Sequence, residues 1–66
     1  MIIMSVDEFC IRTDTLPQDW KAGLKSTDKV TIHADGTVIF NTAKEDYQPI
    51  YEPQVRERIK RVYLAI

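Results

Sequence analysis

Apolar positions recur at helical spacing in three stretches of the chain and alternate in one. "MSVDEFC" opens the first helical stretch. Ser5 can cap it, Glu8 stands three residues later to close a capping box, and Met4 and Phe9 occupy the two positions of a hydrophobic staple. Asp7 and Glu8 put negative charge where the helix dipole favours it. With Val6, Phe9 and Cys10 on one stripe, the pattern predicts a helix over about residues 6–12. A strand through "IIMSVDEFCIRT" is the rival, but its apolar residues do not alternate.

"TDTLPQDWKAGLKS" predicts a second, shorter helix. Pro17 suits the first turn, Gly23 suits the exit, and Leu16, Trp20 and Leu24 stand four apart as one stripe. Trp20 is expected in the core, since so small a core has few other large side chains. "EPQVRERIKRVYLAI" carries the strongest helical pattern. Pro53 fits its first turn, and Val55, Ile59, Val62 and Ile66 fall on one face with Tyr63 alongside. Glu57 and Arg61 stand one turn apart, as an ion pair requires.

Alternation marks "VTIHADGTVIF", residues 30–40, as a hairpin, and its register can be argued. A two-residue "DG" turn would put Thr31 and His33 on one face with Val38 and Phe40. A three-residue "ADG" loop, with Gly36 left-handed, instead gathers Val30, Ile32, Val38 and Phe40 on one face. Thr31, His33, Thr37 and Ile39 then share the other. Slipping a register by one residue sends side chains to the opposite face, so the cleaner segregation decides for the three-residue loop. "NTAKEDYQPIYEP" follows without sustained periodicity, and Tyr47, Ile50 and Tyr51 suit it to cover the hairpin. A two-stranded sheet is marginal alone, which leaves "MIIM" as a candidate third strand. The fold class expected is a small single α+β domain over residues 1–66: two short helices, a hairpin and a closing amphipathic helix.

Length adds a constraint. A chain of 66 residues buries only about 60% of its unfolded surface and sits near the lower limit for folding unaided. Cys10 has no second cysteine to pair with. Cys10 and His33 lack the spacing of a metal site, so neither metal nor cofactor is expected. A partner chain, either a target protein or a second copy, is then the natural source of added stability. The lone cysteine fits a reducing compartment, "MIIM" is too short and uncharged for a secretory leader, and no apolar run approaches a membrane span. A cytoplasmic protein is expected. The net charge of −1 hides a split: Arg56, Arg58, Lys60 and Arg61 face only Glu57 after residue 52, a local +3 against −4 elsewhere.

Three function classes compete. Catalysis would rest on His33, as in a small ribonuclease, but no orienting partner, phosphate loop or nucleophile motif accompanies it. A non-enzymatic role is expected. Helix, short turn, helix, hairpin and helix, with "W-x-x-G" from Trp20 to Gly23, resembles the winged helix-turn-helix of small excisionase-like proteins over about half the chain. That resemblance implies DNA binding through Arg56, Arg58, Lys60 and Arg61. Against the pattern, the second helix offers Gln18, Asp19 and Lys21 in place of a basic face, and the hairpin has only Lys29 before Asp35. The leading expectation is a small regulator or inhibitor that binds a larger protein. By analogy such chains belong to phages and mobile elements. Its contact surface would be Tyr47, Ile50 and Tyr51 with Arg56, Lys60 and Ile39, because tyrosine and arginine concentrate binding energy.

Overall fold

The hairpin register decides the architecture. In the computed structural model, which describes residues 1–66, strands β2 (Lys29–Ile32) and β3 (Val38–Asn41) pair antiparallel with Val30 opposite Phe40 and Ile32 opposite Val38. His33 donates its N–H to the Thr37 carbonyl at 2.9 Å, and Gly36, at φ 87°, closes the three-residue loop. Val30, Ile32, Val38 and Phe40 are all fully buried on one face, as the alternation requires.

Two further strands complete the sheet. β1 (Ile2–Ser5) pairs with β2, and the two-residue β4 (Asp46–Tyr47) pairs with β3, giving a four-stranded antiparallel sheet in chain order. One inner row runs across all of it: Met4, Val30, Phe40 and Tyr47. On the outer face Thr31 donates to Asn41 Oδ1 at 2.7 Å, and Asn41 donates to Asp46 at 3.0 Å.

The helices all contribute to the layer on the inner face. α1 (Val6–Thr13) follows β1 directly, with Ser5 ending one and capping the other. Its first three N–H groups are all satisfied: Val6 by the Asp28 carbonyl, Asp7 by the Ser26 carbonyl and Glu8 by Ser5 Oγ. Glu8 does not return to the Ser5 backbone but reaches Arg12 at 3.7 Å. Val6, Phe9, Cys10 and Thr13 form the buried stripe. Thr13 can sit there because its hydroxyl bonds the Phe9 carbonyl and meets Thr15 Oγ1, both at 2.8 Å.

The second helix is shorter than its stripe predicts. α2 (Pro17–Trp20) is one turn, and Lys21 is already extended. Gly23 adopts its positive φ of 82° in the turn beyond, not at the helix exit. Leu16 is extended and 56% exposed, so only Trp20 and Leu24 of the expected stripe pack on the core. Trp20 lies 5.3 Å from Phe9, 5.6 Å from Phe40 and 5.9 Å from Tyr51, at the tilted and edge-on angles that aromatic rings prefer.

α3 (Pro53–Ala65) closes the layer with Ile59 and Val62 buried and Val55 and Tyr63 half-buried. Ile66 falls beyond the helix and is exposed, as is Leu64, so the apolar end of the chain only partly completes the core. The result is a small α+β fold. It opens on a strand, and its hairpin is the centre of a sheet. No helix is long and apolar enough to cross a membrane.

Candidate functional site

The basic residues of α3 divide between its two flanks. Arg56 and Lys60 lie over the hairpin tip: their side-chain carbons would stand 2.6 Å and 3.2 Å from a Cβ built on Gly36. Arg56 donates to the Asp35 carbonyl and to Thr37 Oγ1, each at 3.2 Å, and its guanidinium sits 5.4 Å from the Tyr51 ring centre. Lys60 lies 3.6 Å from Glu57, which therefore faces Lys60 and not Arg61, as helical spacing had suggested.

Arg58 and Arg61 lie on the other flank, towards α1. With Arg12 they line a shallow groove of about 560 Å³ between the two helices, floored by Val62 and Ala65. Arg58 is held there by the end of α1, where its Nη1 donates to the Thr13 carbonyl at 3.1 Å. That carbonyl belongs to the last turn of α1, whose dipole attracts a cation. One of five guanidinium N–H donors is used, which leaves the others fixed in direction and free to bond. Arg12 has only the long contact to Glu8, and Arg61 has no acidic group within 4.0 Å.

Arg58 also borders a second cavity. A slot of about 190 Å³ opens beside it, walled by Trp20, Tyr51, Val55, Pro49 and Ile50. Ile50 is fully exposed on its rim. Asp19, also on the rim, is engaged by the Leu16 N–H at 2.8 Å. Groove and slot thus meet at one arginine.

The remaining expected site residues are dispersed. Tyr47 and Tyr51 are half-buried against the core, Tyr47 with Lys21 4.5 Å from its ring centre. Burial pushes the Tyr51 phenol above its ordinary pKa of 10.0. Ile39 lies on the outer sheet face with Thr31, across the sheet from the tyrosines. Of the residues expected to contact a protein, Ile50 and Tyr51 share one cavity; of those expected to contact DNA, Arg58 borders the same cavity and shares the groove with Arg61. Sequence reading assigned Trp20 to the core and did not single out Arg12, because only tertiary packing brings these residues beside Arg58.

His33 ends the hairpin on the outer face and makes no side-chain hydrogen bond. Cys10 is buried, and burial raises its thiol pKa. No group of three His, Cys, Asp or Glu side chains is placed to hold a metal ion. Comparison with protein families, with curated proteins and with solved structures gives no match.

Proposed function

We propose that this protein is a small non-enzymatic regulator that acts by binding a larger protein, and that it meets an acidic segment of that partner in the groove between α1 and α3. The observation that carries the reading is Arg58, fixed on the Thr13 carbonyl and bordering both the arginine groove and the apolar slot. Guanidinium groups in fixed orientation suit carboxylates, and an apolar pocket beside them supplies the desolvated centre that protein contacts need. A nucleic-acid backbone is served less well. The four cations of α3 lie on two flanks, two of them engaged at the hairpin tip or with Glu57, and the chain carries a net charge of −1.

The test is a pair of titrations. Trp20, the single tryptophan, reports on the slot by fluorescence as the protein is titrated with polyglutamate and, separately, with mixed-sequence duplex DNA at low and physiological salt. The expected result is binding of the acidic polypeptide that the double variant Arg12→Glu with Arg61→Glu abolishes. DNA binding that exceeds it and weakens steeply with salt would replace this reading with a nucleic-acid one.

A further inference from the structure

We infer that the slot walled by Trp20, Tyr51 and Val55 receives one aromatic or large aliphatic side chain of the acidic segment. The inference rests on the proposed binding role and specifies what the partner must carry. Three observations lead to it.

Size comes first. The slot holds about 190 Å³, and a protein cavity of roughly 150 Å³ accepts a benzene ring. The volume suits one ring or branched aliphatic group.

The walls come second. Trp20 and Tyr51 stand edge-on to each other with centroids 5.9 Å apart, and each is fixed at its polar end. Trp20 Nε1 donates to Thr15 Oγ1 at 2.9 Å, and the Tyr51 hydroxyl donates to the Gly36 carbonyl at 2.5 Å. Their hydrogen-bonding needs are met inside the protein. What they present to the slot is ring surface, which attracts apolar groups; of its polar lining residues, Thr15 is engaged by Trp20 and Asp19 by the Leu16 N–H, which leaves Arg58.

Position comes third. Arg58 borders the slot and the groove together, so a chain whose apolar residue enters the slot carries its neighbours over Arg58, Arg12 and Arg61. Charge complementarity to these three arginines favours Asp or Glu at those neighbours, with Asp19 the one opposing charge among the lining residues. Fully exposed Ile50 on the rim adds contact area that closes over the entering group.

A library of random dodecapeptides displayed on phage and selected on the intact protein tests this. The expected winners carry one Phe, Trp, Leu or Met flanked by Asp or Glu. Replacing that residue by Ala in a synthetic winner should weaken binding about ten- to a hundredfold, the worth of one buried large side chain. Ile50→Ser, which removes the apolar rim without adding charge at a position exposed enough to leave folding intact, should weaken it as well, and circular dichroism verifies the fold. Acidic winners with no shared apolar residue, lost with Arg12→Glu and Arg61→Glu but indifferent to Ile50→Ser, would overturn the slot and leave the acidic-partner reading standing. Winners without acidic residues, or none at all, would overturn both.

Discussion

The Tyr51 hydroxyl donates to the carbonyl of Gly36, fifteen residues earlier in the chain, at 2.5 Å. This bond ties the Pro-flanked loop before α3 to the tip of the central hairpin. Gly36 is buried, so its carbonyl would otherwise be cut off from water. Tyr51→Phe should therefore cost about 1 kcal/mol, a typical hydrogen bond with its acceptor left behind. Urea unfolding measures it. Burial, which raises the phenol's pKa, gives the protonated, donating hydroxyl a pH window. Its contribution is complete below 10.0, the ordinary value, and is lost as pH rises through the higher folded value. The advantage of wild type over the Phe variant should accordingly shrink above that pH.

Two glycines with nearly the same backbone make a controlled pair. Gly23 has φ 82° and nothing within 4 Å of where a Cβ would stand, whereas at Gly36, φ 87°, a Cβ would meet Arg56 Cγ at 2.6 Å and the Arg56 carbonyl at 2.8 Å. Gly23→Ala should cost only the left-handed strain, about 1–2 kcal/mol. Gly36→Ala should cost more, because backbone must move as well as side chain. Equal losses, read from urea midpoints, would show that α3 shifts freely over the hairpin.

Acid should weaken the fold through two exposed carboxylates. The Thr37 N–H, 2.9 Å from Asp35 Oδ1, holds that carboxyl below its ordinary 3.8, and Lys21, at 2.6 Å, holds Glu45 below 4.5. Both contributions are present above those ordinary values and are lost as pH falls through the lower folded ones. The urea midpoint of wild type should drop with pH in that range. The drop should be shallower in Asp35→Ala and in Glu45→Gln.

Cys10 should be inert in the folded chain. It is 4% exposed, and burial favours its protonated form, whereas the thiolate is the reactive species. A disulfide-exchange reagent at neutral pH should label it only as fast as the domain opens, and readily in urea. Prompt labelling without denaturant would mean that α1 detaches from the sheet on its own.

How legible all this was in the sequence depended on how local the causes were. Ser5 announced α1 because a cap acts within a turn, and the hairpin register followed from segregating four apolar residues across a three-residue loop. β1 was legible only as the candidate strand "MIIM", because Ile2, Ile3 and Met4 are all apolar and show no period, although Ile3 faces outwards at 62% exposure. β4 has two residues and no period to read. α2 was overestimated because Gly23 serves a later turn. The meeting of Arg12 with Arg58 spans most of the chain, and no spacing rule reaches that far.

Hairpin tips are ordinarily where a fold grows, since extra residues there disturb nothing. Here the tip at residues 34–36 lies beneath Arg56 and Lys60, so lengthening it would lift the closing helix off the sheet. The next turn is open instead: Ala43 and Lys44 are exposed, and Thr42 and Glu45 close it with their own hydrogen bonds. Room for evolutionary insertion, or for a grafted loop, has moved one turn along the chain, to the end of the molecule that Lys21 and Glu45 hold together from outside.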